Sequence, residues 1–411
     1  MGLVVQKFGG TSVGSVERIK HVASRVIETV EKGHQVVVVV SAMGKSTDEL
    51  VSLANGITEK PSKREMDMLL STGEQVTIAL LSMALQERGY EAISLTGWQA
   101  GIVTEDCHSN ARITRFEEAK ISKHLEEGKI VIVAGFQGFS EVGEITTLGR
   151  GGSDTTAVAL AAGLKADRCD IFTDVTGVFT TDPRVVKTAR KLSSISYDEM
   201  LELANLGAGV LHPRAVEFAK NYQVKLTVRS SMVEEEGTII EEEVSVEENL
   251  VVRGLAFESN VTKISVCGMP NDISGLSNLF TTLATNNINV DIIIQNAIAA
   301  SENSNISFSI LSEKLTETLD VLEQNRDQLR FEEILHETGL AKVSIVGSGM
   351  ISNPGVAGQM FKVLSDKGIL IKMVSTSEIK VSTVVDQVNM VKAVEALHEA
   401  FQLDNVKVAT A

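Results

Sequence analysis

Residues 3–12 read Leu3-Val4-Val5-Gln6-Lys7-Phe8-Gly9-Gly10-Thr11-Ser12. A short apolar run rich in β-branched residues ends in two glycines, and a helix-spaced stretch follows over Ser15–Lys32. That is one strand–turn–helix unit. Similar strand-like runs recur at Val36–Ser41, Glu91–Leu95, Ile130–Ala134, Asp170–Thr173 and Lys225–Val228. Helical patterns stand between them at Lys63–Arg88, Ala111–Glu127, Ser153–Leu164 and Tyr197–Asn205. In Lys63–Arg88 the spacing is carried by Met68, Leu69, Thr72, Val76, Ala79, Leu80 and Met83. Strands alternating with helices predict right-handed βαβ units and a mainly parallel α/β sheet. Ligands on such sheets bind beyond the carboxyl ends of the strands.

The chain has 411 residues, enough for two to four domains at about 100–200 residues each. Apolar residues make up 43% and charged residues 22%, a globular balance. A formal net charge of −16 argues against a nucleic-acid partner, since polyphosphate binding needs a basic face. Aromatic residues, at 4%, are too few for base-stacking platforms to dominate. The N-terminal residues lack the basic and apolar regions of a targeting segment. The longest pure apolar run, Val36–Val40, is far short of a membrane span. Cys107, Cys169 and Cys267 are widely spaced and read as free thiols, so the expected compartment is cytoplasmic.

The charge is unevenly spread. Residues 1–230 hold 28 acidic and 26 basic residues, whereas residues 231–411 hold 26 and 12. This break predicts a first domain over residues 1–232 and a second region over 233–411. The second region contains an internal repeat. One copy runs from Val261, the other from Leu340, with Lys263, Gly268, Gly275 and Phe280 matching Lys342, Gly347, Gly355 and Phe361. Each copy reads strand, glycine turn, helix, strand, which fits a βαββαβ unit.

Several segments have the composition of ligand loops. Gly44-Lys45-Ser46 resembles the tail of a P-loop, but Val39 stands where the first glycine belongs, so that reading is rejected. Gly347-Ser348-Gly349 lacks the third glycine of a dinucleotide fingerprint. Lys7-Phe8-Gly9-Gly10-Thr11-Ser12 suits an anion at a helix N-terminus, and equally an ordinary βα turn with a surface lysine. Residues 146–156 (TTLGRGGSDTT) are more specific. Three glycines and Arg150 lead into an Ala-rich helix, and a guanidinium offers a planar fork to carboxylate or phosphate. Ser153 and Asp154 also suit a helix cap. Residues 41–48 follow the second strand, Glu74 follows a glycine in a helical region, and residues 173–184 combine hydroxyls and acids with a terminal Arg184. The first stands where a ligand-facing loop belongs; the other two also fit a solvated surface. His212, before Pro213 at a helix start, reads as structural.

Taken together, residues 7–14 (KFGGTSVG), 41–48 (SAMGKSTD), 146–157 (TTLGRGGSDTTA), 172–184 (FTDVTGVFTTDPR) and 207–219 (GAGVLHPRAVEFA) resemble the aspartate kinases of the amino-acid kinase superfamily, in the family's order. The repeat resembles that family's paired ACT domains. The size is similar to the short, monofunctional bacterial enzymes, with no room expected for a homoserine dehydrogenase extension. The implied fold is an amino-acid kinase domain, a mainly parallel sheet between helix layers, followed by tandem α+β ACT domains. The first ACT unit is expected at about 261–335. The second is expected at about 340–411, joined by a strand from about 250–257, so that the two are interleaved.

The resemblance implies ATP-dependent phosphorylation of the β-carboxylate of L-aspartate, the entry to lysine, threonine, methionine and diaminopimelate synthesis. A carboxylate nucleophile is already ionised at pH 7, so the absence of an obvious catalytic His or Cys is expected. By matching position, Lys7 would stabilise the phosphoryl group in transfer and Asp154 would orient Lys7. Gly9, Gly10 and Ser41 would donate around the phosphates. Arg150 would grip a substrate carboxylate and Glu74 its ammonium, supported by Thr47 and Ser153. Thr173, Asp174, Phe179, Asp182 and Arg184 would line the nucleotide pocket. Mg²⁺ would bridge phosphate oxygens mostly through water, without a protein ligand set. Many relatives carry Tyr at the position of Phe179 and Lys at that of Gly209.

The ACT copies imply feedback by an end-product amino acid, lysine first and threonine second. The matching effector residues are Asp272, Gly275, Leu276, Asn289, Asp291 and Gln295 in the first copy and Ser375, Thr376, Ser377 and Glu378 in the second. The expected assembly is a homo-oligomer through the ACT domains, or one joined by a separate regulatory subunit, with no nucleic acid and no membrane. The competing readings are a kinase of the same superfamily with another carboxylate acceptor and a non-catalytic ACT sensor. The second would have no use for Lys7, Arg150 and Asp154 together on strand-end loops.

Overall fold

The five valines of residues 36–40 are all buried, which places their strand in the middle of a sheet covered on both faces. The computed structural model describes residues 2–242, 251–297 and 303–404. It divides into two units. One takes Met1–Phe179, Lys191–Asn205 and Gly209–Val246, the other Thr180–Arg190, Leu206–Ala208 and Glu247–Ala411, each through its described residues.

In the first unit β1 (Leu3–Phe8), α1 (Val16–Glu31), β2 (Gln35–Val40), α2 (Ser46–Ile57), α3 (Lys63–Leu70), α4 (Thr72–Gln86) and β3 (Ala92–Leu95) follow one another. Then come β4 (Ile102–Thr104), β5 (Ile113–Phe116), α5 (Ala119–Glu126), β6 (Ile130–Ala134), β7 (Gln137–Ser140) and β8 (Ile145–Thr147). The unit is completed by α6 (Gly152–Gly163), β9 (Arg168–Thr173), β10 (Ser194–Ser196), α7 (Tyr197–Asn205), α8 (Pro213–Tyr222), β11 (Leu226–Ser230) and β12 (Thr238–Glu241). The main sheet has the order β10-β12-β11-β9-β1-β2-β6-β3. Only its β11–β12 pair is antiparallel. A smaller sheet, β5-β4-β7-β8, flanks it. Phe8 and Phe172, paired in register on β1 and β9, stack with ring centroids 4.6 Å apart.

Two expected helices are corrected. Lys63–Arg88 breaks at Ser71 into α3 and α4, and the face it buries is Ile78, Leu81 and Leu85. Val76 and Met83 are exposed instead. By length and composition Lys63–Gln86 is apolar enough to cross a membrane. Ile78, Leu81 and Leu85 nevertheless pack in the same core as Val22, Val26 and Val38. Ala111–Glu127 begins as a strand, β5, because Ile113, Arg115 and Phe116 pair with β4. Helix resumes only at Ala119.

The second unit comprises β13 (Gly254–Pro270), α9 (Gly275–Thr285), β14 (Ile293–Ala297), β15 (Asn303–Leu311), α10 (Leu315–Gln324), α11 (Arg326–Leu329) and β16 (Glu333–Val346). It ends with α12 (Val356–Asp366), β17 (Ile371–Thr376), β18 (Lys380–Asp386) and α13 (Met390–Ala400). Its strands form one antiparallel sheet, β14-β15-β13-β16-β18-β17. The long strand β13 serves both repeat copies. Its start, Gly254–Glu258, pairs with Lys342–Val346 of the second copy, and Leu255 enters that copy's core beside Val343 and Leu397. Further along, Val261–Val266 pairs with β15, and Ile264 packs with Leu279 and Phe308 of the first copy. Leu250, where that strand was expected to begin, and the acids Glu243, Glu247 and Glu248 lie outside the described residues.

Residues 180–190 also belong to this unit. Val186 enters the second copy's core, and Thr180 Oγ1 is hydrogen-bonded to His398 Nε2 at 2.9 Å. Burial lowers the pKa of His398.

Candidate active site

Beyond the carboxyl ends of β1, β2 and β6 lies a cleft of about 340 Å³. Lys7, Gly9, Gly10, Ser41, Thr47, Glu74, Arg150, Ser153 and Asp154 all line it. These residues come from four separate stretches, and the parallel sheet brings them to one place because each follows a strand or opens a helix there.

Lys7 is the penultimate residue of β1, and its ammonium pairs with Asp154 Oδ1 at 2.6 Å. Both side chains are only 12% exposed. Ser41 hydrogen-bonds back to Phe8, and Gly44 N donates to Gly10 O at 3.0 Å, so the loops after β1 and β2 are held together. Asp154 lies in the first turn of α6, whose N-cap is Gly151 in the left-handed conformation, φ 70°. Ser153 and Asp154 are therefore inside the helix and do not cap it. In that turn Gly152 N donates to Gly149 O and Asp154 N to Gly151 O, so the positive end of the helix dipole, with Ser153 N, is what the turn offers the cleft beside Lys7. Arg150 lines the cleft as an exposed side chain, with no ion pair among the described residues.

Glu74 reaches the cleft from the first turn of α4 and is 3% exposed. Its Oε1 accepts from Ala42 N at 3.1 Å, and Oε2 has no hydrogen-bond partner among the described residues. Burial raises its pKa to about 7. The approach depends on Gly73, where a Cβ would stand 2.8 Å from that of Ala42. An ammonium, a phosphate-bearing ligand and a carboxylate thus each find a complementary group in one cleft.

A family model described as the amino acid kinase family matches residues 2–230, and one for the ACT domain matches residues 343–401. The aspartokinase of Bacillus sp. (strain MGA3) is 72% identical over 403 residues, 98% of each chain. Aspartokinase 2 of Bacillus subtilis (strain 168) is 70% identical over the same share. The chain belongs to the aspartate kinases. Among solved structures, E. coli aspartokinase III in complex with aspartate and ADP has a TM-score of 0.79 at 27% identity, covering 97% of this chain and 99% of that one. The same enzyme in complex with lysine and aspartate has a TM-score of 0.75 at 28% identity. As an aspartate kinase the chain phosphorylates aspartate, which sets aside the non-catalytic sensor and the kinase with another acceptor.

Other expected residues stand elsewhere. Thr173 ends β9, hydrogen-bonded to Asp174 at 3.1 Å, and Phe179 bridges to Lys191. Asp182 and Arg184 lie in the segment counted with the second unit and pair with each other at 2.7 Å. Asp272 caps the start of α9 through Ser274 N and Gly275 N and pairs with Arg330 at 2.5 Å. Leu276 packs against the first copy's core, and Asn289 and Gln295 are exposed. Asp291 pairs with the buried Lys342 at 2.5 Å. Ser375 and Thr376 end β17, and Ser377 and Glu378 form the turn to β18.

His212, expected to be structural, is so, whereas Arg214 and Asp67, which brace the loops behind the cleft, escaped the sequence reading. His212 caps α8 and packs over Gly151, where a Cβ would come within 2.2 Å of the ring. Arg214 donates to Leu148 O at 2.7 Å and to Asn110 Oδ1 at 2.9 Å, bracing the chain just before Arg150. Asp67 is fully buried behind the same loop. The segment 207–219 carried the first two as a motif, whereas nothing local marked Asp67.

Proposed function

We propose that this cleft transfers the γ-phosphoryl group of ATP to the β-carboxylate of L-aspartate, with Glu74 holding the substrate ammonium and Arg150 its α-carboxylate. The single observation that carries the assignment is the juxtaposition of opposite charges: a paired lysine, a free guanidinium and a buried, half-satisfied carboxylate line one cavity. The E. coli relative solved with aspartate and ADP supports the same ligand pair.

The β-carboxylate, with an ordinary pKa near 3.9, is ionised without a general base. Its oxygen forms the new bond to the γ-phosphorus while the bond to the bridging oxygen of ADP breaks, leaving 4-phospho-L-aspartate. The chain's task is to bring two anions together and to offset the charge on the transferred group. Lys7, held by Asp154, donates to that group. Gly9, Gly10 and Ser41, with the first turn of α6, donate backbone or hydroxyl hydrogens around the phosphates. Thr47 and Ser153 support the aspartate. Thr173, Asp174 and Phe179 are assigned to the nucleotide.

No group of three or more His, Cys, Asp or Glu among the described residues is arranged to hold a metal. The cleft's cations and amides nevertheless fit a polyphosphate, so Mg²⁺ is assigned to phosphate oxygens and water. When bound it supplies further neutralisation of phosphate charge.

The regulatory reading is inhibition by lysine. The E. coli relative solved with lysine supports it, as does the charge of residues 231–411, 26 acids against 12 bases. Assembly is assigned to the ACT sheet, whose edge strands β14 and β17 each pair with a single strand among the described residues, and to the fully exposed Ile273 in the turn before α9. Steady-state assays with L-aspartate and L-glutamate, then with lysine, threonine and methionine singly and paired, test both parts. Preference for glutamate would contradict the acceptor, and inhibition by threonine but not lysine would contradict the effector.

A further inference from the structure

We infer that Asp67 is a positioning residue for aspartate recognition, fixing Glu74 and Arg150 relative to each other from behind the cleft. The inference rests on the reading that those two residues hold the substrate.

Asp67 lies on α3, is 0% exposed, and does not line the cleft. Its carboxylate ties α3 to two other segments. Oδ1 accepts from Thr147 Oγ1 at 2.6 Å, and Oδ2 from Thr147 N at 3.1 Å. Oδ2 also accepts from Ser109 N at 3.0 Å and is hydrogen-bonded to His108 Nδ1 at 2.9 Å. Ser109 adopts φ 72°, a left-handed conformation costly for a residue with a Cβ, so the carboxylate helps hold a loop that would otherwise relax.

Both recognition residues hang from this knot by short, rigid connections. Thr147 ends β8 three residues before Arg150. Asp67 precedes Glu74 by seven residues, and the break between α3 and α4 is pinned by Gln137 Nε2 donating to Ser71 O at 2.8 Å. Asn110, next to Ser109, continues the brace through Arg214 to Leu148 O. A buried carboxylate satisfied by four donors from two partner segments is hard to displace, because any movement leaves charge or donors unpaired. The separation between ammonium site and carboxylate site is set there.

The test compares Asp67→Asn and the milder, near-isosteric Thr147→Val with Glu74→Gln and the wild-type chain. The measurements are KM for aspartate, KM for ATP, and the ratio of the succinate inhibition constant to the aspartate KM. Succinate lacks the amino group, so that ratio reports the ammonium site. Asp67→Asn should raise the aspartate KM at least tenfold and Thr147→Val about threefold. Both should lower the ratio and keep the ATP KM within twofold. If Glu74→Gln lowers the ratio but both other variants leave it unchanged, with only kcat or melting temperature reduced, Asp67 is merely structural and the inference fails. If Glu74→Gln itself leaves the ratio unchanged, the recognition reading falls, and the inference with it. Thr147→Val decides the matter should Asp67→Asn not fold.

Discussion

Lys7 Nζ stands 2.6 Å from Asp154 Oδ1, one residue on a strand end and the other in the first turn of a helix 147 positions away in sequence. The pair is mostly buried, so its geometry is held more firmly than that of a surface ion pair. Asp154 fixes where the ammonium points before any phosphate arrives. Asp154→Asn keeps the shape but surrenders the charge. It is expected to lower kcat about 10²-fold, in the range of losing one preorganised electrostatic contact. Unchanged kcat in a steady-state assay would remove Asp154 from the mechanism.

Glu74 makes a pH prediction. Burial lifts its pKa to about 7, above the ordinary value of 4.5. The free cleft therefore holds a neutral carboxyl below pH 7 and a carboxylate above it. Since an ammonium needs the carboxylate, the aspartate KM should fall as pH rises from 6 to 8, and Glu74→Gln should flatten that profile. Stability runs the other way. A folded-state pKa above the unfolded one means the fold binds more protons between about pH 4.5 and 7, so stability is lost as pH rises through that window. Glu74→Gln should accordingly melt higher than wild type at pH 8, with the difference vanishing near pH 4. A profile equally steep in the variant would show that another group titrates.

Much of this was readable beforehand, and the reasons are physical. Ile130–Ala134 and Tyr197–Asn205 have the expected limits because periodicity, apolar content and turns agree there. Residues 113–116 misled because Ile113 and Phe116, three apart, satisfy helical spacing, and only pairing with β4 makes them a strand. The face of α4 was rotated for a similar reason. Val76 and Met83 are apolar, but the groups the helix buries at the site end are Gly73, Glu74 and Thr77. Lys7, Arg150 and Asp154 were legible through their glycine loops. Asp67 was not, since its partners at residues 108, 109 and 147 are distant in sequence.

Gly151 offers a steric test. Its φ of 70° and the His212 ring both exclude a side chain. Gly151→Ala should cost about 1–2 kcal/mol from the backbone alone, before the collision. Adding His212→Ala should recover the collision but not the backbone cost. Melting curves of both variants, with aspartate KM beside them, check this; a wild-type melting temperature in Gly151→Ala would contradict the packing.

In the regulatory unit, Lys342 is 4% exposed between Glu258 at 2.9 Å and Asp291 at 2.5 Å. These carboxylates raise its pKa against the opposing effect of burial. Lys342→Met leaves two partly exposed acids beside an apolar chain and should destabilise the unit by about 1–2 kcal/mol. Lys342→Met with Glu258→Gln should restore part of that loss. Urea unfolding followed by circular dichroism would show it, and an unshifted midpoint for the single variant would deny the triad its structural weight.

The most direct test of the central claim is trapping of the acyl phosphate product with hydroxylamine, using L-aspartate and Mg-ATP, in the wild-type chain and in Lys7→Ala. The account predicts aspartyl hydroxamate from the wild type. It predicts a loss of at least about 10²-fold in the variant, with the melting temperature and lysine binding unchanged. Hydroxamate formation by Lys7→Ala at the wild-type rate would contradict it.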